Sequence, residues 1–243
     1  MFDQWTLKKK LVATFAAILA LAGVLIGVAL VNTSRLLETV GWNTHTYQVL
    51  AESERMLLNM VNIETGLRGF VASGDEKFLD PLKQGREKFA EHFDKAKSLT
   101  SDNAEQQAHM AKMDAEHQRF MQVANALIAL RRDATAGKVT SEALLKEFAA
   151  GKDKAAMDAF RAANAEFFKA ESGLLDSRSK ALESIGSTTT LTLTLGGLAL
   201  CVVSGALGWL LARSVFGQLG AEPAEAVNVA ERVARGEIGR AHV

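Results

Sequence analysis

Residues that interrupt helices or crosslink chains are scarce in this sequence. The single cysteine, Cys201, excludes an intrachain disulfide, a CxxC redox pair and a cysteine-based zinc site. Only two prolines, Pro81 and Pro223, and one tyrosine occur in 243 residues, whereas Ala, Leu, Lys and Glu are abundant. This composition favours helices over sheets and predicts an all-α protein.

A net charge and a recognisable catalytic motif are also lacking. The 28 Lys and Arg residues balance 28 Asp and Glu residues, so no overall positive field favours nucleic acid as a partner. No Walker loop, serine elbow or GxGxxG after a strand occurs. We therefore expect a protein without catalytic residues or a cofactor, which is not an enzyme.

The sequence does contain two long hydrophobic runs without charge. The first, residues 11–31, would span roughly 31 Å as a helix with about 1.5 Å per residue, against a bilayer core of about 30 Å. The second covers residues 185–212. A cleaved signal peptide is the alternative for the first run, but such peptides have an apolar region of about 7 to 15 residues and a small-residue cleavage site, which is not evident here. We expect two transmembrane helices in a lipid bilayer.

Basic residues beside these runs predict their orientation. Lys8, Lys9 and Lys10 precede the first run and Arg213 follows the second, and positively charged flanks tend to remain in the cytoplasm. We therefore expect both termini in the cytoplasm, with residues 1–10 as the N-terminal segment there. Residues 32–184 should lie outside.

A pair of glycines in the first run has the spacing of a helix contact. Gly23 and Gly27 form a GxxxG motif, which lets two transmembrane helices approach closely. Glycine is also simply common in membrane helices, and both interpretations stay open.

Heptad spacing of apolar residues predicts helices between the two runs. One stripe fills successive core positions with Val49, Ser53, Met56, Met60, Ile63, Leu67 and Phe70. No helix breaker separates this stripe from the first run, so we expect a single helix up to about Ser73. Gly74 should end that helix and Asp75 should cap the next segment.

Three further helices are predicted before the second run. The second helix should begin near Asp80, and a capping box of Asp102 and Glu105 should open the third. The fourth should begin at Thr140 or Ser141 and continue unbroken into the second hydrophobic run. Four antiparallel helices with short connections would bury their apolar faces as a four-helix bundle.

Four histidines in this segment raise the question of a metal site. His45, His92, His109 and His117 are all predicted to lie outside the membrane. None of them forms an HxxxH pair with a supporting carboxylate, which is the spacing that a zinc site would need. We expect no metal.

One segment of the first helix departs from ordinary helix composition. Glu64-Thr65-Gly66-Leu67-Arg68-Gly69-Phe70 contains two glycines, each of which costs about 1 kcal/mol relative to alanine in a helix. Glu64 and Arg68 have the i, i+4 spacing of an ion pair beside the core stripe. The segment is either a packing notch with a flanking salt bridge or a functional site, and both interpretations stay open.

This segment resembles a known family. Together with Ser73-Gly74-Asp75-Glu76 and Phe78-Leu79-Asp80-Pro81-Leu82, it looks like the characteristic segment of the third class of CHASE domains, over about residues 35 to 183. These are extracytoplasmic four-helix sensor modules of bacterial receptors. The resemblance implies a place in the bacterial inner membrane and gives seven motif residues: Glu64, Thr65, Gly66, Arg68, Gly69, Gly74 and Asp75. It implies no single ligand class, and no cluster of arginines or aromatics defines a ligand-binding residue.

A second resemblance follows the second run, in residues 213–243. Gly217 to Pro223 and Gly236-Glu237-Ile238 are similar to the start of a HAMP linker of methyl-accepting chemotaxis proteins. The resemblance implies a signal relay in which Pro223, preceded by Glu222, opens the first HAMP helix and Gly236 ends it. Ala226, Val229 and Val233 share one face of that helix, which predicts a parallel homodimer.

The last residues predict that this linker is truncated. No second HAMP helix or output domain follows it, and Glu237 to Val243 back-translates into the start of a common sequencing-library adapter. We expect the gene to continue where this sequence departs from the HAMP pattern.

These features predict the input module of a chemotaxis receptor. It would pass an external stimulus inward by helix displacement and reach cytoplasmic signalling proteins only through its missing output domain. One alternative is the input half of a histidine kinase or a diguanylate cyclase. Another is a helical membrane scaffold with no signalling role.

Overall fold

Helices make up the described chain, as the composition predicts. A computed structural model describes residues 5–219 and 223–235, so the predicted relay residues Glu222 and Gly236 lie outside the described residues. The helices are α1 (Leu7–Ser73), α2 (Leu79–Leu99), α3 (Ala104–Thr135), α4 (Ser141–Ala149), α5 (Lys152–Leu219) and α6 (Pro223–Ala234), with a short 3-10 turn at Glu76–Phe78. No strand occurs among these described residues.

The chain divides into two compact units. The first comprises Met1–Leu37 and Glu183–Val243, and the second comprises Glu38–Leu182. Helices α1 and α5 each contribute residues to both units.

Two helices that run through the first unit are long and apolar enough to cross a membrane. Their best 18-residue stretches have mean hydropathy values of 2.6 and 2.0, and hardly any residue in those stretches is buried. Within this unit Lys10 Nζ donates to Ser214 Oγ at 2.6 Å. The two expected candidate spans are therefore present, by length and composition.

The second unit is organised around one apolar core. The predicted stripe of α1 is confirmed, because all seven of its residues are at most 1% exposed: Val49, Ser53, Met56, Met60, Ile63, Leu67 and Phe70. The other helices contribute buried residues to the same core, including Leu82 and Phe89 from α2, Met113 and Phe120 from α3, Leu144 from α4, and Phe160 and Phe167 from α5. Full burial of each large apolar side chain stabilises the fold by about 1.5–3 kcal/mol.

The predicted end of the first helix is also confirmed. Helix α1 ends at Ser73, and Gly74 takes a positive φ of +75° while its N–H donates to the Phe70 carbonyl oxygen at 2.8 Å. The Asp75 carboxylate accepts from the Lys77 N–H at 3.0 Å and caps the following turn.

The start of the third helix was predicted one residue too early. Asn103, rather than Asp102, is the N-cap, and its side-chain oxygen accepts from the N–H groups of Glu105 at 3.1 Å and Gln106 at 3.2 Å. Asn103 has the extended backbone, with φ −114° and ψ 103°, that directs a cap side chain over the first turn. Asp102 and Glu105 therefore do not form the predicted capping box.

The prediction of an unbroken fourth helix is wrong. The segment begins at Ser141, capped by Thr140, but α4 ends at Ala149 and a new helix, α5, begins at Lys152. Gly151 between them has φ +66°, a left-handed conformation that a continuous helix cannot contain. The break makes α4 a separate short helix, and its Leu144 is buried in the core.

Candidate functional site

The two motif glycines lie where α1 meets the chain around the start of α2. A Cβ atom added to Gly66 would lie 2.8 Å from the Leu82 nitrogen and from the Phe78 carbonyl oxygen, and one added to Gly69 would overlap the Phe78 ring. Gly85 of α2 faces α1 in the same way, with an added Cβ 2.9 Å from the Asn59 carbonyl oxygen. Glycine therefore lets the two backbones approach more closely than any side chain would allow.

Glu64 and Arg68 form the predicted ion pair, but they do so inside a larger network. Arg68 Nη2 lies 3.1 Å from Glu64 Oε1, while Arg68 Nε donates to Asp153 Oδ2 at 3.0 Å. Arg161 Nη2 donates to the other Glu64 oxygen, Oε2, at 2.9 Å. Two residues of α1 are thus joined to two residues of α5.

The burial of this network is uneven. The Glu64 and Asp153 side chains are only 8% and 3% exposed, whereas Arg68 and Arg161 are 44% and 43% exposed. Each buried carboxylate is therefore neutralised by a guanidinium that covers it from the solvent side. This arrangement can hold α1 and α5 in one register, since a shift along either helix would leave a buried charge without its partner.

Sequence reasoning missed Asp153 and Arg161. They lie 85 and 97 residues from their partners, and nothing in their local pattern sets them apart from the other charged residues of α5. Gly85 was missed too, although its position inside a predicted helix was the same signal that identified Gly66.

The remaining motif residues lie outside the close contact between α1 and α2. Thr65 is exposed, and Gly74 and Asp75 form the end of α1 described above. Beside them Glu76 accepts two hydrogen bonds from Arg132 of α3, at 2.7 and 2.8 Å. The motif therefore combines a close helix contact, an ion-pair network and a helix end.

A second group of polar residues joins α1 to α5 at the other end of the same unit. Arg178 Nη1 donates to Thr46 Oγ1 and to the Trp42 carbonyl oxygen, the latter at 3.4 Å, and its guanidinium lies 5.0 Å from the Trp42 ring centre. Glu171 of α5 is buried nearby, and that burial raises the pKa of its carboxyl against the opposing charge of Arg178. The sequence singled out none of these residues.

The histidines make separate contacts. His92 Nδ1 lies 2.5 Å from Glu52 Oε2, and His45 Nε2 lies 2.9 Å from the Leu99 carbonyl oxygen. The ring of His117 stacks on Phe89 at 4.0 Å, and burial lowers its pKa. Within residues 5–219 and 223–235, no group of three His, Cys, Asp or Glu side chains is placed to hold a metal ion.

Three of the predicted membrane and relay residues lie among the described residues. A Cβ atom added to Gly23 or Gly27 would meet nothing within 4 Å, so both positions are open in the single chain. Pro223 is the first residue of α6.

The family model described as the CHASE3 domain matches residues 39–181. No curated protein and no solved structure matches the chain.

Proposed function

Because the chain belongs to the CHASE3 domain family, we propose that it is the input part of a chemotaxis receptor. CHASE3 domains are extracytoplasmic sensor domains of signalling receptors. Their presence here supports a receptor input module in a membrane, and the chemotaxis output rests on the HAMP-like residues that follow the second apolar stretch.

The continuity of α1 and α5 carries this proposal. Each is a single helix that contains both core residues of the sensor unit and an apolar stretch long enough to cross a bilayer. A helix transmits a shift, tilt or rotation along its length because its backbone hydrogen bonds make it stiff. A stimulus that moves α1 against α5 in the sensor would therefore reach the cytoplasm.

The relay would begin at α6. This helix has 12 residues, starts at Pro223 and follows the second apolar stretch. Pro at the first helical position favours a defined start, which supports a HAMP helix there.

We also propose that the receptor is a parallel homodimer. Gly23 and Gly27 would meet their counterparts in the membrane, and apolar side chains on the outer face of α1 would meet theirs in the sensor. Val40, Tyr47 and Val61 on that face are exposed and recur at multiples of seven residues, which is the spacing of a helix contact.

A chimera with a disulfide lock tests the signalling role. The chain would be fused after Arg235 to the remaining HAMP and signalling domains of a characterised chemoreceptor, with Cys201→Ser as background. Ser53 of α1 donates to Asn164 of α5 at 3.0 Å in the core, so the pair Ser53→Cys and Asn164→Cys places two thiols close together across the two helices.

Closing this disulfide should change the kinase output of the chimera and suppress its response to a panel of stimuli, and a reductant should restore both. The two single cysteine variants are the matched controls, since neither can close the crosslink. An output that is the same in oxidised and reduced protein, with no response to any stimulus, would instead favour a membrane scaffold.

A histidine kinase or diguanylate cyclase would be recognised from the gene sequence downstream of Gly236.

A further inference from the structure

A small polar cavity lies inside the sensor unit between α1, α5 and the connection from α2 to α3. It holds about 30 Å³ of space. Its lining includes Trp42, His45, Thr100, Asp102, Glu171 and Arg178. A site of this size with several polar groups suits an ordered water molecule, which needs about 10–15 Å³ and two to four partners.

His45 contributes one ring nitrogen to this site. Its Nε2 lies 2.9 Å from the Leu99 carbonyl oxygen, which can only accept, so we assign the hydrogen to Nε2. Its Nδ1 is buried without a hydrogen-bond partner among the described residues. This nitrogen is therefore left to accept a proton or a hydrogen bond from the cavity.

Glu171 contributes a buried carboxyl group, with the residue only 3% exposed. Burial raises its pKa, and the charge of Asp102 acts in the same direction, while Arg178 and His45 act against it. These are the charged and titratable groups that face the cavity, from α1, α5 and the α2–α3 connection. A carboxylate here is therefore only partly compensated by Arg178, whose hydrogen bonds go to Thr46 and the Trp42 carbonyl oxygen of α1.

We propose that this cavity is a proton-binding site, in which one proton is shared through a water molecule between the Glu171 carboxyl and His45 Nδ1. The proton comes from external solvent, and its binding changes the charge of the pair from −1 to 0. The proposal rests on the sensor function argued above and names external pH as a stimulus that the sensor reads.

The arrangement of Arg178 gives proton binding a mechanical consequence. In the structure its guanidinium holds α1 through Thr46, the Trp42 carbonyl and the Trp42 ring. When the pair loses its proton, the Glu171 carboxylate attracts that same guanidinium. A rise in pH would thus transfer Arg178 from α1 toward its own helix and loosen the contact between the two helices that continue into the apolar stretches.

Trp42 provides a direct readout, because its ring lies 5.6 Å from the His45 ring and borders the cavity. The variant with Trp5→Phe and Trp209→Phe leaves Trp42 as the single tryptophan of the full chain. In detergent micelles scanned from pH 5 to 8, its emission should show one transition, because burial raises the pKa of the Glu171 carboxyl above its ordinary value. His45→Gln and Glu171→Gln should each abolish this transition or move its midpoint by at least half a pH unit.

His109→Gln is the matched control, since His109 does not line the cavity, and it should leave the midpoint unchanged. Far-UV circular dichroism at both ends of the titration shows whether each variant keeps its helices. The parent protein alone decides the question if a variant does not fold: a flat Trp42 emission from pH 5 to 8 overturns the proposal. An unchanged midpoint in either His45→Gln or Glu171→Gln would also overturn it.

The outcome is independent of the receptor proposal. A Trp42 transition in a chain whose chimera gives no output would retain the proton site and reject the sensor function. Conversely, a chimera that responds to other stimuli while the Trp42 emission does not change with pH would retain the sensor function and reject the proton site.

Discussion

At the residue scale, the most consequential contact is the one between Arg68 and two buried carboxylates. Glu64 has a second partner in Arg161, whereas among the described residues Asp153 forms an ion pair only with Arg68. The loss of Arg68 therefore isolates Asp153 more than Glu64. The ion pair expected from sequence spacing is real, but the more vulnerable carboxylate belongs to another helix.

Replacing Arg68 should therefore destabilise the protein through Asp153. We expect Arg68→Ala to cost about 2 kcal/mol, less than a fully buried pair would because Arg68 is partly solvated. Adding Asp153→Asn should recover part of the loss, since the unpaired charge is then gone, and should recover more than adding Glu64→Gln. Chemical denaturation of the full chain in micelles measures these differences.

The matched control is Arg132→Ala, which removes an ion pair with Glu76 that is exposed on both sides. Exposed pairs contribute little, so its effect should be much smaller. Equal losses for the two arginine variants would show that the Arg68 network is an ordinary solvated one.

At the scale of elements, the packing of α1 against α2 depends on glycine to different degrees at its two motif positions. The neighbours of Gly66 are backbone atoms, which cannot move without shifting α2. The neighbour of Gly69 is the half-exposed Phe78 ring, which can rotate away. The two glycines therefore look alike in the sequence but not in the structure.

This difference predicts unequal effects of alanine. Gly66→Ala should destabilise by about 1–2 kcal/mol, because overpacking outweighs the gain in helix propensity of about 1 kcal/mol. Gly69→Ala should be close to neutral. Gly41→Ala on the same helix meets nothing within 4 Å and should be neutral or stabilising. Thermal unfolding followed by circular dichroism ranks the three, and a Gly66→Ala protein as stable as Gly41→Ala would contradict the close contact.

At the scale of the whole molecule, the basic residues beside the two apolar stretches predict the orientation in the membrane. Lysines at positions 8–10 and Arg213 flank the two apolar stretches, which predicts cytoplasmic termini. Alkaline phosphatase, which is active only outside the cytoplasm, should be active when fused after Asp133 and inactive when fused after Arg213. The opposite pair of results would reverse the topology.

The proposed homodimer gives a separate prediction. With Cys201→Ser as background, cysteines at Gly23 and Gly27 test the proposed contact in the membrane, and cysteines at Tyr47 and Val61 test the proposed contact in the sensor. Each pair should crosslink between subunits in native membranes. Arg119 of α3 is also exposed but lies on another helix, so Arg119→Cys should not crosslink. Efficient crosslinking at Arg119 with none at the α1 positions would reject this interface.

The features that the sequence by itself determined are local or periodic. The core stripe from Val49 to Phe70 was readable because one helix repeats its buried face about every seven residues. The end of α1 at Gly74 was readable because a positive φ suits glycine. Gly151 has the same conformation, but its sequence context resembles a tolerated helix glycine, so only the structure revealed that break.

The tertiary structure alone decided which distant residues meet. Glu64 meets Arg161, and the cavity brings His45 together with Glu171, although about 100 residues or more separate each pair along the chain. These contacts depend on how far each helix is rotated and shifted along its neighbours. That register results from packing the entire core at once, and no single helix specifies it.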